Sequence, residues 1–228
     1  MSAPGTLGWW EHGEAFFATA LDRLPEPDLD GPSLLPGWPR RTVVAHVARN
    51  ADALVNLLTW ARTGEATPMY ASAAARDAAI AETASLPAAD LVADCRAAGR
   101  RLATAVRGMP EEAWTAEVRT AQGRTVTASE VPWMRCREVW VHAVDLDAGL
   151  GFGHVPDDVL TELIDDVTRT WQRRDQTPGV RFTTGTRDWG AGPATATGDL
   201  ADVAAWVTGR RSLARSTADR DSPLPTWL

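Results

Sequence analysis

The chain has 228 residues, 44% hydrophobic and 23% charged, with a formal net charge of −7, a length and composition that suit a soluble globular protein of one large or two modest domains. An acidic balance with scattered basic residues argues against nucleic acid. No apolar run approaches the roughly 18 residues of a membrane span, and residues 1–20 lack a basic start followed by an apolar core, so the expected setting is the cytosol.

In chain order, a first helix is predicted over 7–24. Phe17, Leu21 and Leu24 fall at helical spacing, and Pro25 and Pro27 end the pattern. His12 lies in this helix with no other ligand-type residue beside it. The turn Leu34-Leu35-Pro36-Gly37-Trp38-Pro39 leads into a second helix over about 40–63, closed by Gly64. On a helical wheel Val43, Val47, Leu54, Leu57, Leu58 and Ala61 share one arc, and His46 and Asn50 fall at or within it. Two polar groups directed at a core need partners, because an unpaired one costs on the order of 1–3 kcal/mol.

Thr67 to Ser85 is Ala-rich, contains Met69-Tyr70 and Arg76-Asp77, and reads as a short helix. Leu86-Pro87 opens a stronger one carrying Leu91, Cys95, Ala98, Leu102 and Val106, ended by Gly108 and Pro110. Residues 111–126 read as loop or a short hairpin. The next helix begins near Thr127–Ser129. Thr127 and Glu130 fit a capping box, but a cap at Ser129 is preferred because it places Pro132 in the first turn, where no hydrogen bond is lost. Gly149 to His154 reads as a linker. Beyond it come an amphipathic helix from Pro156 to about Arg174, strands at 180–184 and 194–197 separated by a turn with Asp188-Trp189-Gly190, and a helix from an Asp199 cap to Thr208, ended by Gly209. The expected architecture is α+β: an all-helical part over 1–150 and a small α/β part over 151–228.

The chemistry concentrates in Arg137-Glu138-Val139-Trp140-Val141-His142-Ala143-Val144-Asp145-Leu146. Glu138 and His142 are one helical turn apart on one face, so a carboxylate oxygen and an imidazole nitrogen can hold one divalent metal, with His46 as the candidate third ligand and a coordination position left open. Each residue taken alone also fits a bland reading, Glu138 in a surface pair and either histidine hydrogen-bonded in the core. Cys136 points about 160° away from Glu138 on the wheel, which makes it a poor nucleophile at such a metal. The two cysteines, Cys95 and Cys136, have no metal-ligand spacing and read as free thiols. All 23 basic residues are arginine, which excludes lysine Schiff-base or general-base chemistry. Arginine suits bidentate contact with carboxylates, so an acidic small-molecule substrate stays open.

These segments carry a family resemblance. Leu35-Pro36-Gly37-Trp38, His46-Val47-Ala48-Arg49-Asn50-Ala51-Asp52-Ala53-Leu54, Met69-Tyr70, the 137–146 stretch, Asp188-Trp189-Gly190, Gly198-Asp199 and Ala205-Trp206-Val207-Thr208-Gly209-Arg210 together resemble the mycothiol-dependent maleylpyruvate isomerase family. The likeness spans nearly the whole chain, and it rests on the order and spacing of the motifs. It implies a DinB-like four-helix bundle followed by a small α/β domain. It also implies zinc, or another divalent metal, on His46, Glu138 and His142, and a catalytic arginine at Arg210, with Arg211 the less favoured neighbour.

The activity implied is cis–trans isomerisation by addition of a mycothiol thiolate, bond rotation and elimination. The expected partners are a small acidic substrate and a low-molecular-weight thiol, acting on a monomer. Asn50 and Asp145, each one turn from a histidine, become candidates for fixing imidazole tautomers. The same triad also suits a mycothiol S-transferase, and a non-catalytic zinc-binding module is the third reading.

Overall fold

The structure is a computed structural model describing residues 3–210, 215–216 and 224–227. The chain forms two compact units, Met1–Gly149 and Leu150–Leu228. The first holds five helices: α1 (Ala3–Asp22), α2 (Arg40–Thr63), α3 (Ala73–Ala84), α4 (Ala88–Arg107) and α5 (Val131–Asp145). Helix α1 packs along α5, α2 packs on α4 and α5, and α3 flanks α2. These contacts make a four-helix bundle of α1, α2, α4 and α5.

The apolar arc of α2 forms the core. Val43, Val47, Leu54, Leu57 and Leu58 are buried, facing Leu91, Cys95, Ala98 and Leu102 of α4. Burying each of the leucines contributes about 1.5–3 kcal/mol. Helix α2 ends where Gly64 takes φ 75°, the left-handed conformation that closes a helix without Cβ strain.

Helices α1 and α5 cross closely at Gly13. A Cβ there would lie 2.7 Å from Nε1 of Trp140 and 2.7 Å from Cγ2 of Val139. Beside the crossing, Trp140 donates its Nε1–H to the carbonyl of Trp9 at 3.0 Å. Deeper, Arg135 of α5 is 1% exposed and joins three helices. It ion-pairs with Glu14 of α1 at 2.7 Å and donates to the Val47 carbonyl at 2.7 Å and to Oδ1 of Asn50 at 3.1 Å, both on α2.

Two local expectations of this unit are revised. Helix α3 starts at a Ser72 cap, not near Thr67; the Ser72 hydroxyl accepts from the Ala75 N–H. Neither Thr127 nor Ser129 caps α5. A single 3-10 turn over Ala128–Glu130 precedes the helix, and the two hydroxyls bond each other at 2.7 Å. Pro132 still falls in the first turn of α5, where its missing N–H is harmless. The preceding connection is a 3-10 turn, Glu111–Thr115, followed by a hairpin of β1 (Glu117–Arg119) and β2 (Thr125–Thr127).

The second unit contains α6 (Asp157–Arg173), β3 (Val180–Thr183), β4 (Asp188–Trp189), β5 (Ala194–Thr197), α7 (Leu200–Val207) and β6 (Arg215–Ser216), with strand order β4-β3-β5-β6. Strands β3 and β5 run parallel, and the other pairs are antiparallel. Asp188 and Trp189, expected in a turn, are a short edge strand paired with Thr183 and Phe182. Gly190 follows at φ 68°, where a Cβ would stand 2.6 Å from the Val180 carbonyl oxygen. Asp199 accepts from the Asp202 N–H and caps α7. Among the described residues no helix is long and apolar enough to cross a membrane.

Candidate metal centre

Helix α2 supplies His46, and α5 supplies Glu138 and His142. All three are buried, at 8%, 7% and 6% exposure. One ligand atom from each lies within 4.8 Å of the others. Both histidines aim Nε2 at the same oxygen, Oε2 of Glu138, at 2.9 Å from His46 and 3.2 Å from His142. The imidazole rings stand nearly perpendicular, with centroids 4.8 Å apart. Two imidazole nitrogens and a carboxylate oxygen converging on one point are a donor set that suits a divalent metal of the zinc type, and three protein donors leave a position open.

The far side of His142 is held by Asp145, whose Oδ2 is 2.8 Å from Nδ1. The carboxylate is itself 0% exposed. The backbone around it is fixed from a distance: the Leu34 N–H donates to the Asp145 carbonyl at 2.9 Å, and Arg40 Nε to the Leu146 carbonyl at 2.6 Å. Asn50 has a different task from the one its spacing suggested. Its Oδ1 accepts from Arg135, so it belongs to the α1–α2–α5 junction and not to His46.

The electrostatics follow from burial set against pairing. Burial opposes ionisation of Glu138, but hydrogen bonds from His142 and His46 outweigh it and hold the carboxyl well below its usual range. Burial also opposes charging of His142. The bonds to Asp145 and Glu138 prevail and raise its pKa. His46 goes the other way: burial lowers its pKa, the pull of Glu138 offsets this only in part, and the positive charges of His142 and Arg76 add to the lowering.

Three further side chains border the cluster. The Trp38 ring stands edge-on to His46 with centroids 5.6 Å apart. Nη2 of Arg76, on α3, lies 3.5 Å from Nδ1 of His46. Tyr70, the single tyrosine of the chain, has its pKa pushed up to about 12 by burial and by the negative charge of Glu138, which outweigh the charge and hydrogen bond of Arg76. Sequence reasoning placed Met69-Tyr70 and Arg76 in one helix and gave them no role. The signal available was the isolated tyrosine followed by an arginine in a stretch otherwise rich in alanine.

Cys136 is 0% exposed and Cys95 5% exposed, and neither is in a disulfide. Burial pushes the Cys95 thiol up to about 12. Arg210 lies in the second unit just after α7 and donates to the Thr208 carbonyl. Arg211 lies outside the described residues.

The profile of the mycothiol maleylpyruvate isomerase N-terminal domain matches residues 10–147, which contain His46, Glu138 and His142. The chain belongs to the mycothiol maleylpyruvate isomerase family. Two solved structures agree, the crystal structure of the mycothiol-dependent maleylpyruvate isomerase and that of a histidine-to-alanine mutant of it. Each is 36% identical, has a TM-score of 0.93, and covers 100% of this chain and 98% of its own. No curated protein gives a match. Family membership accounts for the helical bundle with its appended mixed unit, which extends past the matched domain to the end of the chain.

Proposed function

We propose that this chain is a cis–trans isomerase of the maleylpyruvate type, using mycothiol and a divalent metal, zinc in the first instance, on His46, Glu138 and His142. The observation that carries the reading is the buried convergence of these donors within 4.8 Å, in a chain 36% identical along its whole length to a mycothiol-dependent maleylpyruvate isomerase. When bound, the metal and the thiol together supply a thiolate at neutral pH, the nucleophile whose reversible addition makes a cis double bond rotatable. The thiol leaves unchanged, so the reaction has no net redox and no net proton.

The chain's own residues perform the remaining tasks. Asp145 fixes the His142 tautomer and so directs Nε2 into the cluster. The cysteines are sealed from solvent, which supports a thiol arriving from outside. Residues 1–150 form the metal-binding part of the proposal, and residues 151–228 supply Arg210, which we assign to a substrate carboxylate, a bidentate contact arginine makes well. We take the working unit to be a monomer, since every candidate ligand comes from one chain, and its setting to be the cytosol, where the cysteines stay reduced.

Metal analysis followed by turnover of maleylpyruvate with mycothiol tests the reading. Zinc near stoichiometric, fumarylpyruvate as product and full recovery of free thiol are expected. Stoichiometric thiol consumption would instead mark an S-transferase, and a zinc-loaded but inert protein a non-catalytic module. His46→Ala should lose most of the metal and keep its helical content. Arg210→Ala should raise KM or lower kcat with zinc unchanged.

A further inference from the structure

The border of the cluster contains an arginine that the metal set does not use. Nη2 of Arg76 stands 3.5 Å from Nδ1 of His46. Its guanidinium ion-pairs with its neighbour in sequence, Asp77, at 2.9 Å, and that carboxylate is 69% exposed. Arg76 itself is half-buried, one third exposed. A cation placed at a buried polar cluster, and ion-paired to a solvated carboxylate, still has the capacity to bind an anion. Tyr70 lies close enough for the charges of Arg76 and Glu138 both to act on its hydroxyl.

We propose that Arg76, with Tyr70 beside it, is a carboxylate-binding edge of the metal centre that takes one acid group of a dicarboxylate substrate. The role assigned rests on the isomerase reading, because it presumes a small acidic substrate brought to this cluster. It adds a specificity residue from α3, within the same unit as the metal donors.

The experiment compares zinc-loaded wild type, Arg76→Gln and Arg76→Lys in three assays: maleylpyruvate turnover with mycothiol, mycothiol consumption by diethyl maleate, and calorimetric binding of maleate. Diethyl maleate carries the same double bond without charge. Arg76→Gln should raise KM for maleylpyruvate and weaken maleate about ten- to a hundred-fold, the effect of one lost charge-assisted contact. Any change in zinc content or in the diester rate should be much smaller than this loss, and Arg76→Lys should recover part of it. Equal maleate affinity in wild type and Arg76→Gln overturns the proposal, as does an equal loss on the dianion and the diester. Should the wild type bind maleate but fail to isomerise maleylpyruvate, the isomerase reading falls while the maleate comparison still decides Arg76.

Discussion

Asp145 holds Nδ1 of His142 at 2.8 Å from the opposite side to Glu138, so the imidazole is clamped between two carboxylates. The clamp fixes which nitrogen is free for a metal. Asp145→Asn keeps the shape but loses the charge that supports the ring. Zinc affinity should fall about 10- to 100-fold. A chelator competition titration measures this, and an unchanged affinity would make Asp145 a packing residue only.

Glu14 and Arg135 set an acid limit on stability. Burial raises the Glu14 pKa, but the charge and hydrogen bonds of Arg135, helped by Trp10, bring it below 4.5. A carboxyl whose folded pKa is depressed contributes stability above its unfolded pKa and loses it as pH falls through the folded value. Glu14→Gln leaves Arg135 buried without its counter-charge and should cost about 3 kcal/mol at neutral pH. The gap from wild type in urea melts should narrow as pH falls below the ordinary carboxylate range and through the depressed folded pKa of Glu14. A gap that does not change with pH would mean the loss is one of packing.

The α1–α5 crossing predicts opposite signs for two glycines of one helix. At Gly13 a methyl group meets Trp140 and Val139 at 2.7 Å, whereas at Gly8 nothing lies within 4 Å. Gly13→Ala should destabilise by about 1–3 kcal/mol. Gly8→Ala should stabilise by about 0.5–1 kcal/mol through helix propensity. Thermal melts of the two variants test the pair, and a stabilised Gly13→Ala would mean the helices cross less tightly than described.

Neither cysteine should compete with a thiol cofactor. Cys95 has its pKa pushed up to about 12 and Cys136 is fully buried. A disulfide reagent at neutral pH should find no reactive thiol in the native protein and two in guanidinium. Cys136→Ser should leave turnover nearly intact. Abolished activity would relocate the nucleophile to the protein itself.

How much of this was legible in the sequence depended on how local each signal was. Helix α2 could be bounded at 40–63 because its apolar arc, its leading Pro39 and its closing Gly64 are all contiguous. Glu138 and His142 share a face by spacing alone, and their geometry matches it. His46 was open to two readings until α2 was seen to pack on α5, since no pattern within α2 records what faces it. Arg135 was not read at all: an arginine normally counts as solvated, and its partner Glu14 is 121 residues away. The bond from Arg135 to Asn50, a candidate partner of His46 by spacing, was hidden for the same reason. Arg76 stayed unread because the start of α3 was placed too early, which left its helical face undefined. Asp188 and Trp189 are too few to show a strand's period, so only their pairing with β3 reveals one.

The last turn of α5 is tied through the carbonyls of Asp145 and Leu146 to Leu34 and Arg40, on the threshold of the helix that carries His46. Both halves of the donor set are thus held in register by bonds that involve no ion. A zinc finger falls apart on chelation because its ion is its keystone. Here the frame stands ready beforehand, so a divalent ion such as cobalt is expected to enter and leave the cluster without refolding, its visible spectrum reporting the exchange.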